Sequence, residues 1–460
     1  MLDYQSIDVK ILHLRNIIKP TKDIYRNCLK DFIHICENEY TNYGSLTSKQ
    51  QNNYLEKLVH KTKDNTSPKY DWFDDKYFQM PSYFRRACLQ EAKGIVNSFH
   101  SNYNNWVEGG KVSKPPVLRY NHSSFPTFYK NNTFMWNENN NNNTNTMFSN
   151  NVSIKLYNNK TNTWNYVTIS LRLTDVKRLF KLSNGNKLNI SNHTLCRKGK
   201  CWYLKFLVTN TRNLINIENK KQRILAVDLG YTNLATCCVM EEDGTILHRK
   251  FIKNVKLIDR LSHTLNRIKK AQKLGAKKPK YLWHKVNNYN ETLATYCALE
   301  IVKLAIEFHC DTIVLEYLDF KNSNIKGSMK QKISLWRYRD INKKVERFSH
   351  RNGIHYSTIC AKNTSKLAYD GSGSTIRGNK INKNTPYSIC KFKSGKLYNC
   401  DLNASYNIGA RYFIRKIQKT IDESLWSLMM AKVPSLRARV LCTLDSLIKV
   451  RQLLPTMEKD

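Results

Sequence analysis

The stretch Ile224 to Thr236, ILAVDLGYTNLAT, constrains this chain more than any other. Its apolar run, with β-branched Ile224 and Val227, reads as a buried strand. Asp228 stands where that strand ends, and Gly230 lets the chain turn away. An ionised carboxylate in such a place is expensive unless something cationic compensates it. Alone, Asp228 would be more simply a turn residue capping its own backbone. Two further carboxylates recur in similar settings, however. TIVLEYL ends an apolar strand, Thr312 to Leu315, on Glu316, and CDLNASYNIGARY opens a helix at Asp401.

These acids lie 88 and then 85 residues apart, so only folding can gather them. Gathered, they would repel and raise one another's pKa. Divalent cations remove that conflict and create the two-metal arrangement that cuts phosphodiesters. Hard oxygen donors suit Mg²⁺ or Mn²⁺ rather than zinc. The charge balance points the same way: 76 basic against 36 acidic residues give +40, which predicts a polyanionic partner, nucleic acid. The 26 tyrosines and 17 phenylalanines supply platforms on which bases could stack. The thirteen cysteines follow no regular spacing, Met1 to Lys10 lacks the design of a signal peptide, and no apolar run reaches ~18 residues. Free thiols in a cytoplasmic, nucleoid-associated protein are the expectation.

At 460 residues the chain should form two or three domains. Val9 to Ile18 reads as a strand ended by Pro20, and Thr21 and Asp23 as caps of a helix reaching Ile35. After a polar, Asn-rich connection, Tyr83 to Trp106 repeats at helical spacing. Lys111 to Asn151 reads as loops and short strands with a flexible tip at the Asn tract 139–143. VSIKLY, WNYVTISLRL, KLNI and CWYLKFLVT then read as strands of an antiparallel sheet or barrel. Beyond Asp228 follow a ribbon (Ala235 to Met240, Thr245 to Phe251), helices over Val255 to about Leu274 and Tyr289 to His309, and a break at AKKPK between them. Helix Leu335 to Asn352, stopped by Gly353, leads to strand Ile354 to Ile359 and an irregular stretch, Cys360 to Lys396. Leu425 to Leu454 adds further helix. The basic segment 260–273, RLSHTLNRIKKAQK, reads as a nucleic-acid contact in preference to a solvated face. Cys237-Cys238 reads as core, no HxxH or HExxH pattern occurs, and Gly371-Ser-Gly373 lacks the GK[ST] of a P-loop.

At ILAVDLGYTNLAT, TIVLEYL and CDLNASYNIGARY the sequence resembles the three RuvC motifs of TnpB, the transposon-encoded RNA-guided nuclease related to compact type V CRISPR effectors. ISLWRYRDINKKVERFSHRNGIHYSTI, NTSK at 363–366 and VKILHLRNIIKPTK resemble further parts of that family. The resemblance implies an α+β multidomain chain: a β-barrel-like wedge domain with an inserted helical recognition module, then a RuvC domain of RNase H-like α/β fold. It divides the chain into a wedge strand (1–20), helical module (21–108), wedge β domain (109–220), RuvC nuclease domain (221–416) with a target-nucleic-acid-binding insertion (360–396), and C-terminal helices (417–460). It also implies a structured guide RNA, a double-stranded DNA target, and metal-dependent cleavage beside a short motif read by protein, with Asp228, Glu316 and Asp401 as the Mg²⁺-holding catalytic triad. The alternatives are an RNA-guided DNA-binding regulator without cleavage, and a guide-independent RuvC-like nuclease on branched DNA.

One departure stands out. The family usually carries two CxxC pairs of a zinc ribbon before its third motif. Here Ala368 and Gly371 occupy the first pair, and Lys393 follows Cys390 in the second. Cys360, Cys390 and Cys400, spaced 30 and 10 apart, match no zinc ribbon. Ordinary thiols without zinc are favoured over a three-Cys site completed by His355.

Overall fold

The strand that opens the fold, β1 (Leu2–Lys10), alternates exposed and inward residues and buries Ile7 and Val9, the period of a half-buried strand. The computed structural model describes residues 2–13, 17–63, 65–137, 148–217, 221–230, 233–318 and 335–457. The Asn tract and the residues Tyr231 and Thr232 of the first motif lie outside them. The expected strand Val9 to Ile18 is corrected: β1 ends at Lys10 with one isolated bridge at Ile11, residues 14–16 lie outside the described residues, and α1 (Ile18–Asn38) already starts at Ile18. Pro20 falls in the first turn of that helix, where a missing N–H breaks no hydrogen bond. It belongs to the helix's start instead of ending a strand.

α1 buries Tyr25, Cys28, Leu29, Phe32 and Cys36 at helical spacing and packs along α5 (Ser82–Glu108). The polar connection between them carries α2 (Tyr40–Tyr43), α3 (Ser48–Val59) and α4 (Trp72–Lys76). Its centre is Glu39, 1% exposed, which accepts from Tyr54, Tyr70, Lys69 and Asn42. Burial opposes its charge, but those four donors carry its pKa down to about 2. The strands of this unit are β2 (Thr127–Phe128), β3 (Phe134–Trp136), β4 (Asn151–Asn158), β5 (Thr163–Ser170), β6 (His193–Lys198) and β7 (Cys201–Thr211). They form two sheets, β1-β7-β6-β2 and β3-β4-β5, with a single bridge, Ile11 to Leu171, between them. Helices and sheets share one core, and Leu2–Thr211 forms one compact unit.

One strand expectation is shortened here and one fails. WNYVTISLRL leaves the sheet at Ser170, and α6 (Leu173–Leu182) follows, with Val176 and Leu179 three apart on its buried face. Asp175 accepts from the Lys10 backbone N–H and grips Arg172, which ties that helix to the end of β1. KLNI is a short 3₁₀ turn, Lys187–Asn189, capped by Asn186.

The second unit, Arg212–Asp460, is built on β8 (Arg223–Leu229), β9 (Ala235–Glu241), β10 (Ile246–Ile252), β11 (Thr312–Tyr317) and β12 (His355–Cys360), in the order β10-β9-β8-β11-β12. The first three are antiparallel, while β8, β11 and β12 run parallel. α7 (Val255–Lys273), α8 (Lys280–Glu307) and α9 (Tyr338–Arg351) cover Leu225, Val227, Ile313 and Leu315 on one face. α8 begins nine residues before the expected Tyr289, because Val286 continues its buried stripe back to a start just after Pro279. Gly353, at φ +75°, ends α9 in the left-handed conformation that glycine adopts freely.

The other sheet face carries Ile224, Ala226 and Val314, and packs on α10 (Cys400–Thr420), α11 (Glu423–Lys432) and α12 (Leu444–Met457). Gly409 permits that approach: a Cβ there would meet Met240 Sδ at 2.7 Å and Ala226 Cβ at 3.3 Å. The stretch Cys360 to Lys396, expected to be irregular, contributes to a small sheet of β13 (Ile376–Arg377), β14 (Ile389–Lys391) and β15 (Leu397–Asn399). Its strands have two or three residues, too short for a readable alternation. No described helix is long and apolar enough to cross a membrane.

Candidate active site

Side-chain alternation places the first two acids. Asp228 follows Ile224 and Ala226 on the α10 face, and Glu316 follows Val314 on the same face of the next strand. The register pairs Val227 with Leu315, so Asp228 and Glu316 sit side by side at the ends of parallel strands. The third acid comes from the helix packed on that face. Asn399 caps α10 by accepting from the N–H groups of Asp401 and Leu402, at 3.0 Å each. Asp401 lies in the first turn, where the helix dipole favours an anion. Asp228 and Asp401 are half-buried; Glu316 is 5% exposed.

Asp228 feels the charge of both other acids. Burial, then Glu316 and Asp401, push the Asp228 carboxyl well above the usual range, against the pull of Arg377. Glu316 is raised to about 7 by burial, which the Thr364 hydroxyl and Arg411 oppose. Asn233 Nδ2 donates to Asp401 at 3.0 Å, and Thr364 Oγ1 donates to Glu316 Oε1 at 2.5 Å. Among the described residues no three His, Cys, Asp or Glu side chains already stand as a metal-holding group. The donor set nonetheless suits a hard divalent cation: three carboxylates, two of them with raised pKa.

Arg377 places a positive charge beside Asp228, too weak a pull to offset burial and the two other acids. It lies on β13, its Nε 2.8 Å from Cys400 Sγ and its guanidinium over the Tyr387 ring. Burial opposes its charge, but Cys400, Tyr387 and Asp401 hold its pKa above the usual value. Nothing periodic marks it in the sequence. Asn233 and Thr364, by contrast, lie inside the stretches ILAVDLGYTNLAT and NTSK, where nothing in residue type or spacing marks them as partners of the acids.

The three-Cys alternative is not assembled. Cys390 and Cys400 do meet, and the Cys400 thiol is lowered to about 7 by Cys390 and then, against burial, by Arg377. Cys360 is exposed at the end of β12, and the His355 ring lies 2.7 Å from the Ile215 carbonyl. What fills the interior of the insertion is apolar: Ala368, Cys390, Phe392 and Cys400. Tyr369 meets Phe392, Tyr398 and Tyr406 edge to face at 5.5, 5.2 and 5.3 Å, pairs that add about 0.5–1.5 kcal/mol each beyond burial. Purified protein should therefore contain well below one zinc per chain. Elemental analysis checks this, and a stoichiometric zinc that resists dialysis would contradict it.

On α7 the residues Leu261, Thr264 and Ile268 face inward, while Arg260, Arg267, Lys269, Lys270 and Lys273 are exposed.

A family model described as the Aq_aa04 family matches residues 5–158. The TnpB-like protein aq_aa05 of Aquifex aeolicus (strain VF5) is 27% identical over 255 residues, 50% of this chain and 80% of that protein. Two solved structures share the fold. Cas12f1, in a complex with sgRNA and target DNA, gives a TM-score of 0.51 at 15% identity, covering 86% of this chain and 81% of its own. The mini RNA-guided endonuclease CRISPR-Cas_phi3 gives 0.51 at 9%, covering 88% and 92%. The architecture is thus the α+β multidomain fold of compact Cas12 effectors. The resemblance to TnpB is borne out in the TnpB-like relative that the sequence matches, and the shared fold agrees with it.

Proposed function

We propose that the protein is an RNA-guided DNA endonuclease of TnpB type, cutting DNA beside a short motif read by the protein itself. The observation that carries this reading is that Asp228, beside Glu316 at the ends of neighbouring strands, also feels the charge of Asp401 at the start of the helix packed on that face, in a chain of net charge +40. The strand order, three antiparallel strands followed by two parallel ones, supports an RNase H-like RuvC domain over 221–416. Residues 360–396 would then bind target nucleic acid, and 21–108 would serve as the recognition module.

Asp228, Glu316 and Asp401 would hold Mg²⁺ or Mn²⁺, ions that when bound supply an activated water and stabilise the leaving oxygen of the phosphodiester. The chain's own part is to pre-position these groups. Asn233 orients the Asp401 carboxylate. Arg377 places a fixed positive charge beside the acids, where it relieves their repulsion and offers attraction to a phosphate. Guide pairing would select the sequence, and the protein would read only the flanking motif.

The test of guide dependence begins at purification. A structured RNA should co-purify with the chain, and its retention should fall steeply with salt, because phosphate contacts release counterions. Sequencing of the bound RNA and a salt titration measure both. Protein free of RNA at low salt yet able to cut branched DNA would replace this reading with a guide-independent nuclease.

A further inference from the structure

Three polar residues of α10, Asn403, Asn407 and Arg411, recur every fourth position and are all buried, at 0, 0 and 5% exposure. They form one stripe on the helix. Buried polar groups are costly unless bonded, and each of these is bonded to backbone. Asn403 accepts from Tyr369 N and donates to the Leu367 carbonyl, both at 2.8 Å. Asn407 donates to the Thr364 and Leu367 carbonyls at 2.9 Å and accepts from Leu444 N at 3.2 Å. Arg411 donates to the carbonyls of Cys360 and Lys362 on one side, and of Val440 and Cys442 on the other. The stripe thus fastens two backbone segments at once, 360–369 and 440–444.

The first segment carries Thr364, 2% exposed, whose hydroxyl faces Glu316 Oε1 at 2.5 Å and the Ala361 carbonyl at 2.9 Å. Its own carbonyl is held by Asn407. A continuous set of hydrogen bonds therefore runs from Val440–Leu444 through α10 and the loop to one acid of the site. The residues after Ile414, which carry no recognisable motif, supply its outer end.

We infer that Thr364 is a positioning residue for Glu316, fixing the carboxylate toward a divalent cation, and that the α10 stripe braced by Val440–Leu444 holds Thr364 in place. The inference rests on reading Glu316 as a metal-holding acid. The stripe's regularity adds a reason beyond packing: apolar residues at 403, 407 and 411 would bury more cheaply but could not fix the loop backbone.

The test uses the RNA-loaded full chain and compares Thr364→Val, which keeps the shape and loses the hydroxyl, with Thr364→Ser, which keeps the hydroxyl. Mn²⁺ affinity is read from the electron paramagnetic resonance signal of free Mn²⁺, beside cleavage rate and thermal unfolding. Thr364→Val should weaken Mn²⁺ binding and slow cleavage by roughly 10–100-fold, the usual effect of losing a partner that orients a metal ligand. Thr364→Ser should stay close to wild type. If the Val variant does not fold, the Ser and Ala variants carry the same comparison. Equal impairment of Val and Ser would overturn the inference, since the methyl would then matter and not the hydroxyl. So would normal Mn²⁺ affinity in Thr364→Val while Glu316→Gln is inactive. Normal cleavage by Glu316→Gln would instead remove the reading of Glu316 on which the inference stands.

Discussion

Asp228→Ala, Glu316→Ala and Asp401→Ala should each abolish Mg²⁺-dependent DNA cleavage while guide RNA binding persists. Each change removes one donor from a shared site and leaves the basic surface intact. Charge stabilisation by a bound ion contributes several kcal/mol to such a transition state, and about 4 kcal/mol corresponds to roughly 10³-fold in rate. A single-turnover assay on guide-matched DNA measures the loss, and a variant that still cuts at the normal rate would remove that residue from the site. Stability should move the other way in metal-free protein. Glu316, raised from 4.5 to about 7, disfavours its own ionisation in the folded state. Its contribution is fully present below pH 4.5 and is lost as pH rises through about 7. Glu316→Gln should therefore stabilise metal-free protein above pH 7, by on the order of 3 kcal/mol at 1.36 kcal/mol per pKa unit. The gain should vanish below pH 4.5, as thermal unfolding across that range would record. A site that is unstable until filled is the pattern of a functional one.

Arg411→Ala should be the most destabilising single change among the residues discussed. The guanidinium is 5% exposed and donates to four backbone carbonyls. Truncation leaves those acceptors buried and unpaired, and a cavity beside them. Loss of one partner from a buried charged network costs about 3–5 kcal/mol. In a domain of this unit's size that corresponds to a fall in Tm of roughly 10 °C. Differential scanning calorimetry on the full chain tests it. A Tm within a degree or two of wild type would show that the segment 440–444 is held by other means.

How much of this could be read beforehand follows from where the physical signal resides. β8 and β11 were legible because a parallel strand buried on both faces is a short apolar run, and because Asp228 and Glu316 interrupt those runs at their ends. Asp401 was legible as the first acid of a helix. Arg377 was not, since it reaches the site from a two-residue strand whose place depends on tertiary contacts alone. Arg411 was hidden for a different reason: a basic residue in so basic a chain reads as surface, and only its four carbonyl partners reveal a buried role. The misplacement of β1 and the missed α6 share one cause. Val9 to Ile18 and LTDVKRLFKL mix both periodicities over about ten residues, and the choice is made by Pro20 in a first helical turn and by Asp175 gripping the Lys10 N–H.

The most direct test of guided cleavage is exchange of the guide. RNA is stripped from the purified protein, which is then reconstituted with two RNAs that differ only in the guide segment. Each is offered DNA libraries carrying either target and randomised flanks. Cleavage should require RNA and Mg²⁺ and move to whichever target matches the guide, while the preferred flanking motif stays the same in both reactions. Equal cutting by the RNA-free protein, or a cut site indifferent to the guide, would contradict the account.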